Sequence, residues 1–257
     1  MDAAAHWGQA LEAWGIPEEI LAQAEESPWI HPPELFELPE VIPPSPSHTR
    51  AAEALGADAS VVDVGCGGGI ATFALLPAVR FGFGIDHQAA MLERYRRNGE
   101  RLGVPVETVV GNWPEVAEQA PRCDVAAAHH VVYNVGAIAP FLEALASHAR
   151  HRVVVELPSE HPLAPMAPAW RHFWDLERPE GPFPEDLAAV VRELGFTPHL
   201  ESFEGPLRPE GDLDQAARFL RIRLCLPAAR EPEVRAYLAT SPPARSRSLV
   251  TLWFDVD

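Results

Sequence analysis

Hydrophobic and polar positions alternate along the middle of this chain in a way that predicts short strands separated by helices. The predicted strands are Ser60–Val64, Val79–Ile85, Val106–Val110, Asp124–Ala128 and Arg152–Leu157. The segments between them have helical periodicity and are predicted as Ala71–Leu76, Gln88–Leu102, Pro114–Gln119 and Ile138–Ala149. Repeated strand–helix–strand units predict a doubly wound α/β fold, with a parallel sheet covered by helices on both faces.

The same patterns extend the fold on both sides of this alternating region. A helix is predicted over residues 1–26, followed by a proline-rich extended connector to residue 46, and a short helix over Ser47–Leu55. Beyond residue 184 the patterns predict, in order, a helix, a strand, a helical insertion and a last strand: Glu185–Leu194, Thr197–Phe203, Leu213–Ala239 and Leu249–Val256.

Three segments outside the alternating core are rich in aromatic residues. These are residues 1–46, 158–184 and 206–240, with the side chains Trp7, Trp14, Trp29, Phe36, Trp170, Phe173, Trp174, Phe219, Leu220 and Leu224. We predict one domain, 1–257, in which the core, 47–157, binds a cofactor and the three segments form a cap over an enclosed, largely apolar pocket. The alternative is that these aromatics only complete the core.

Composition narrows the possible partners. The 257 residues include 37 acidic and 20 basic ones, a formal net charge of −17, which disfavours nucleic acid and anionic membranes as partners. The arginines Arg94, Arg96, Arg97 and Arg101 fit a solvated helix face. The three cysteines lack paired spacing and the sequence has no HxxxH pattern, so we expect no disulfide and no metal site. The sequence shows no leader pattern and no membrane-spanning apolar run, which favours a cytoplasmic location.

The run from Asp63 to Gly69 after the first predicted strand is dense in glycine. Gly65, Gly67 and Gly69 give the spacing D-x-G-x-G-x-G, which allows a sharp turn and lets backbone N–H groups approach a ligand. A dinucleotide-binding loop would require glycine or alanine at position 70, where this chain has Ile70. The loop therefore indicates a nucleotide-like ligand without a pyrophosphate.

Two later strand ends carry further candidate ligand-binding residues. Asp86 ends the second predicted strand, where a carboxylate can accept hydrogen bonds from ribose hydroxyls, although it could instead cap the following helix. Asn112 and Trp113 follow the third strand, where an amide can contact adenine and an indole can border the base, unless Trp113 is a core residue.

Together these motifs, with Cys123–Val131, resemble class I S-adenosylmethionine-dependent methyltransferases, from about Thr49 to Leu157. The resemblance implies a seven-stranded sheet whose last strand is antiparallel, and S-adenosylmethionine as cofactor. Asp63 and Gly65 would lie by its methionine portion, Asp86 by the ribose, and Asn112, where many relatives have Asp, by the adenine. The predicted cofactor-binding set is Asp63, Gly65, Cys66, Gly67, Gly69, Asp86, His87, Met91, Asn112, Trp113 and His129. Residues 129–135 further resemble a group of small actinobacterial-type methyltransferases.

The predicted reaction is methyl transfer to a small-molecule acceptor by in-line displacement, which leaves S-adenosylhomocysteine and requires alignment more than a base. If a base is used, His129 and His130 at the end of the fourth strand are candidates, although they could simply be packed or contact the cofactor. Tyr133 and Asn134 are candidates for orienting the acceptor. The D/N-P-P-Y/F run of methyltransferases that flip out an amino base does not follow that strand, which disfavours a nucleic-acid base as acceptor. Glu156 and Glu160 resemble the glutamate pair that binds an arginine guanidinium, but Pro158 interrupts that pair. The alternatives are a nucleotide-dependent oxidoreductase and a non-catalytic cofactor-binding protein; the sequence identifies neither the acceptor nor the oligomeric state.

Overall fold

Seven strands in the described part of the chain form a single sheet. A computed structural model describes residues 2–29, 37–206, 212–240 and 247–256. The strands are β1 (Ser60–Val64), β2 (Phe81–Asp86), β3 (Val106–Val110), β4 (Cys123–His129), β5 (Ala149–Pro158), β6 (His199–Gly205) and β7 (Arg247–Asp255), in the order β3-β2-β1-β4-β5-β7-β6. The pairs from β3 through β5 are parallel, whereas β7 runs antiparallel to both β5 and β6. The predicted fold class, including the antiparallel last strand, is confirmed.

Helices cover both faces of this sheet. They are α1 (Ala3–Glu12), α2 (Glu18–Leu21), α3 (Pro46–Glu53), α4 (Ile70–Phe73), α5 (Ala89–Leu102), α6 (Ile138–His148), α7 (Ala167–Trp174), α8 (Pro184–Glu193), α9 (Leu213–Arg223) and α10 (Glu231–Thr240). Side chains of α1, α6 and α8 pack on one face, and those of α3, α4 and α5 pack on the other. Because both faces are covered, β1 is buried along its whole length, which explains its nearly uninterrupted apolar sequence.

The structure corrects two predicted helices. Residues 1–26 do not form one helix but two, α1 and α2, because Gly15 and Pro17 lie between them and a proline cannot continue a helical hydrogen-bond ladder. The segment Pro114–Gln119 contains only a 3-10 turn, Ala117–Gln119, since it is short and prolines bracket it at 114 and 121. Among the described residues, no helix is both long and apolar enough to cross a membrane.

The three predicted cap segments pack against one another. A separate hydrophobic cluster, here called the cap cluster, joins side chains of α2, α7, α9 and α10 with the turn after α9: Ile20, Ala169, Trp170, Ala217, Leu220, Leu224, Cys225, Leu226 and Val234. Trp29 is 51% exposed and belongs to no core cluster, and Phe36 lies outside the described residues. Trp170 is in the cap cluster, Phe173 and Trp174 pack against it, and Trp7 belongs to the main core under the sheet. The division into one domain with a cap stays a prediction.

Candidate functional site

A cavity of about 410 Å³ opens at the carboxyl ends of the central strands. Its lining comes from the ends of β1 and β2, the loop after β3 and the turn after β4: Val64, Gly65, Ile85, Asp86, His87, Gly111, Asn112, Trp113, Val131, Asn134, Val135, Gly136 and Phe141. The volume lies within the range of ~300–1,000 Å³ that is usual for small-molecule sites. Its position at the point where the strand order reverses is the ligand-binding position of open α/β sheets.

The glycine loop after β1 lies close to two neighbouring elements. The backbone N–H groups of Gly65 and Cys66 both donate to the carbonyl of Ile85, at 2.8 and 3.0 Å, which holds the loop against β2. Gly65 has φ of +68°, and a Cβ there would lie 2.4 Å from Cγ2 of Val131. Glycine is required at this position because a side chain would be strained and would collide with Val131.

Asp86 connects the glycine loop to the helix that follows β2. It is 8% exposed. Its Oδ2 accepts a hydrogen bond from the Gly67 N–H at 3.1 Å, and its Oδ1 accepts one from the Gln88 N–H at 2.9 Å. Gln88 is the N-cap of α5, so the prediction that Asp86 is the cap residue is wrong; its bond to the Gln88 N–H closes the turn that precedes the helix. Each carboxylate oxygen retains acceptor capacity at the cavity wall, which leaves the ribose role available as well.

Asp63 is buried behind the loop and does not line the cavity. Its Oδ2 accepts a hydrogen bond from Thr72 Oγ1 at 2.9 Å, and Thr72 also lies 2.8 Å from the Tyr95 hydroxyl. Burial raises the pKa of Asp63 to about 7, although the hydrogen bonds from Thr72 act in the opposite direction. Burial likewise raises the pKa of the Cys66 thiol. These two residues stabilise the loop from below.

The other predicted cofactor residues are distributed over the cavity and its surroundings. Asn112 and Trp113 line the cavity. Trp113 is 9% exposed, and its Nε1 donates a hydrogen bond to the Phe141 carbonyl at 3.1 Å. This indole is therefore both a core residue and part of the cavity wall. His87 lines the rim, whereas Met91 is buried on α5 and is not among the lining residues.

Comparisons with known proteins agree with this geometry. A family model described as a methyltransferase domain matches residues 61–152. Residues 61–152 form a class I methyltransferase domain, the kind of domain that uses S-adenosylmethionine as its methyl donor. The family predicted from the sequence is thereby confirmed, while the actinobacterial grouping stays a prediction. No curated protein matches the sequence.

Solved structures with this fold include several methyltransferases. A putative methyltransferase from Bacillus halodurans is 16% identical with a TM-score of 0.56, covering 81% of this chain and 98% of its own. The YcgJ protein from Bacillus subtilis is 14% identical with a TM-score of 0.54, covering 81% and 97%. A methyltransferase from Thiobacillus denitrificans, solved with S-adenosyl-L-homocysteine, is 21% identical with a TM-score of 0.50, covering 93% and 98%. At these identities the likeness establishes the fold of the methyltransferase.

The end of β4 in this methyltransferase carries two histidines with different surroundings. The His129 ring stacks on His48 of α3, with centroids 5.9 Å apart, and burial lowers the pKa of His129 to about 4 and that of His48 below its ordinary value. His130 lies outside this stack, and its Nε2 is 3.1 Å from Oε1 of Glu156 on β5. Burial alone would raise the pKa of Glu156, but the neighbouring imidazoles and hydrogen bonds outweigh it and the pKa is lowered.

Tyr133 connects the end of β4 to the cap. Its hydroxyl donates to the Pro158 carbonyl at 3.0 Å, its ring stacks on Trp7 at 5.6 Å, and it meets the edge of His161 at 5.3 Å. His161 in turn stacks on Trp14 at 4.0 Å. Burial raises the pKa of Tyr133 well above the ordinary value of a tyrosine.

Sequence reasoning did not identify His48 and His161 as site residues, and it considered Glu156 only as half of a guanidinium clamp. No local motif marks them, because each is brought to the end of β4 by the tertiary fold. His129, predicted to contact the cofactor, is not among the residues that line the cavity.

Proposed function

We propose that this methyltransferase transfers a methyl group from S-adenosylmethionine to a small-molecule acceptor by in-line displacement. The single observation that carries the proposal is the cavity that has Asp86 and Asn112 in its wall and Gly65 at its end. These residues lie at the carboxyl ends of three adjacent strands in the order β3, β2 and β1, and Asn112, Asp86 and Gly65 fit an adenine, a ribose and a methionine chain in that order across the sheet.

The residues present fit this cofactor. The Gly65 position leaves backbone exposed where a Cβ would collide with Val131, and the two oxygens of Asp86 have acceptor capacity for two ribose hydroxyls. Asn112 supplies a neutral amide that can pair with the exocyclic amine of adenine. When bound, S-adenosylmethionine supplies an electrophilic methyl group for an acceptor that approaches in line with the leaving sulfur.

Two features favour a small acceptor. The cap segments 1–46 and 158–184 are joined by the stacked pair Trp14–His161, and the Tyr133 ring after β4 contacts both segments through Trp7 and His161. We expect this packing to restrict space on the acceptor side. The net charge of −17 opposes a polyanionic acceptor. Chemically the pocket should favour an uncharged or cationic molecule of modest size.

The three catalytic candidates differ in whether their polar atoms already contact other groups of the protein. The Tyr133 proton is donated to Pro158, and the His130 Nε2 faces Glu156, so both side chains are engaged in structural contacts. Nδ1 and Nε2 of His129 are buried and make no hydrogen bond within the described residues, and His129 lies outside the cavity lining. A positioned but weakly basic imidazole is consistent with chemistry in which alignment and exclusion of water dominate.

Isothermal titration calorimetry with S-adenosylhomocysteine tests the cofactor site, and release of S-adenosylhomocysteine from S-adenosylmethionine across a metabolite library tests the acceptor class. We expect one cofactor per chain and turnover with at least one small molecule. Absence of both heat and a thermal shift at saturating cofactor would refute the proposal. Tight binding of NADH would favour an oxidoreductase, and cofactor binding without turnover on any acceptor would favour a binding protein.

A further inference from the structure

A buried cluster of two histidines and one glutamate lies where β4 and β5 end. His129 is the last residue of β4, Glu156 is its register partner on β5, and His48 belongs to α3. One ligand atom from each residue, an imidazole nitrogen or a carboxylate oxygen, lies within 4.8 Å of the other two. Because the three residues come from separate elements, the cluster exists only in the folded protein.

The imidazoles of this cluster have buried ring nitrogens without partners. Nδ1 and Nε2 of both His48 and His129 are inaccessible to solvent and make no hydrogen bond within the described part of the chain. The Pro43 carbonyl lies close enough to affect the His48 ring but does not meet hydrogen-bond geometry. Buried polar atoms are nearly always paired, so the unpaired nitrogens of these two stacked rings indicate that a ligand engages some of them.

The chemistry of the donor set selects a cation. An anion placed among these side chains would meet the Glu156 carboxylate. Two imidazoles and one carboxylate form the donor set of catalytic zinc sites and of non-haem iron(II) sites, in which three protein ligands leave further coordination positions open. Hard cations such as magnesium and calcium prefer oxygen ligands and are disfavoured by two nitrogens.

Neighbouring side chains orient the carboxylate of this cluster. Oε1 of Glu156 is 3.1 Å from Nε2 of His130, and Oε2 accepts a hydrogen bond from Ser45 Oγ at 3.2 Å. A carboxylate can accept about four hydrogen bonds or ligand contacts, so each oxygen retains capacity for an ion. Such supporting hydrogen bonds around a ligating carboxylate are a usual feature of metal sites.

We propose that His48, His129 and Glu156 bind one divalent transition-metal ion of the zinc and iron(II) class, with an open coordination position that takes a donor atom of the methyl acceptor. The metal site stands on the cluster alone, whereas its role toward the acceptor rests on the proposed methyl transfer. This departs from the sequence-based expectation of no metal, which considered only ligands spaced closely along the chain.

The three ligand atoms must move slightly closer together to bind such an ion. Metal–ligand distances of about 2.0–2.2 Å in a tetrahedral site place ligand atoms about 3.3–3.6 Å apart, compared with the 4.8 Å limit found here. We expect rotation of the three side chains to bring these ligand atoms onto one ion. No movement of β4 or β5 is needed, because His129 and Glu156 are already register partners.

The position of the cluster relates it to methyl transfer. Val131, two residues after His129, closes the cavity wall over Gly65. An ion held by His129 would therefore lie beside the end of the cavity that we assign to the methionine chain and its methyl group. There it could bind a hydroxyl or thiol of the acceptor, lower the pKa of that group and align it with the methyl group.

Metal binding can be tested without cofactor or acceptor. The full chain is stripped with a chelator, and Co²⁺ is titrated while its visible absorption is followed, since four- and five-coordinate Co²⁺ absorbs far more strongly than the hydrated ion. We expect one Co²⁺ per chain, displaced by Zn²⁺. His129→Asn and Glu156→Gln should each weaken binding by more than ~100-fold, at or beyond the upper end of the effect of losing a supporting residue. His6→Ala, which removes an exposed histidine, should leave binding unchanged.

The outcomes separate this proposal from the proposed function. Each variant is also titrated with S-adenosylhomocysteine, and a cooperative thermal unfolding transition followed by circular dichroism shows, independently of the cofactor, that it is folded. Failure of the wild-type chain to bind Co²⁺, or bands that persist in both variants and so report an adventitious ion only, would overturn the metal site whatever the cofactor does. If Co²⁺ binds as expected but no cofactor binds, the proposed methyl transfer fails while the metal site stands.

Discussion

Asp63 is expected to make the stability of this methyltransferase fall as pH rises. Its carboxyl group is buried, and its pKa is raised from 3.8 to about 7 because burial penalises the charged form. A raised carboxyl pKa means that the folded state holds a proton that the unfolded chain has already lost. The contribution to stability is therefore fully present below pH 3.8 and is lost as pH rises through 7.

The size of the effect follows from those two pKa values. Linkage between pH 5 and pH 8 gives a loss of about 2–3 kcal/mol from this one group, and about 4 kcal/mol over its whole titration. The change Asp63→Asn removes the titration but keeps an oxygen that can accept the hydrogen bond from Thr72 Oγ1. The variant should match the wild type at low pH and exceed its stability by a growing margin as pH rises.

Urea unfolding of both proteins at pH 5, 6, 7 and 8 measures this margin. Other groups titrate in the same range, so only the difference between variant and wild type is interpreted. Glu118→Gln, which removes an exposed carboxylate, controls for the loss of one negative charge from an acidic protein. A difference between Asp63→Asn and wild type that stays constant from pH 5 to 8, or that shrinks with rising pH, would refute the assigned pKa.

Three further predictions concern the loop and the cap. Asp86→Ala should weaken S-adenosylhomocysteine binding by ~1.5–3 kcal/mol in calorimetry and also lower the melting temperature. Asp86→Asn should retain more of the affinity and more of the thermal stability. If the Asn variant binds the cofactor as tightly as the wild type, Asp86 has only a structural role in the loop. Gly65→Ala should abolish cofactor binding. The control Gly103→Ala, at a similar positive φ with nothing within 4 Å of the added Cβ, should cost ~1–2 kcal/mol of stability and leave cofactor binding intact. Equal losses of cofactor binding in the two variants would contradict the steric argument. Trp14→Ala should destabilise the protein by ~3–5 kcal/mol in urea unfolding, while Trp29→Ala, at a half-exposed indole, should change stability little.

The sheet and the glycine loop were predictable because their signals are local. The near-continuous apolar run of β1 follows from burial on both faces, and the glycines after it are required by the backbone itself. Asp86 was also predictable, since it occupies a defined position at the end of the next strand. The helical periodicity of residues 1–26 was less informative, because it continues across Gly15 and Pro17, which interrupt the helix. These two residues divide the segment into two helices.

The acceptor side of the site was not predictable in the same way, and the strand order explains why. The cofactor cavity draws mainly on loops after β1, β2 and β3, each of which presents its residues from one contiguous stretch of sequence. The opposite side is built where β4 and β5 end, from His129 and Glu156, and it is completed by His48, which comes from a helix that precedes the sheet. Side chains from three elements meet there only through tertiary packing, so no spacing along the chain identifies them. In a fold of this kind the sequence indicates the methyl donor through its loops, whereas the acceptor must be inferred from the groups that packing brings together.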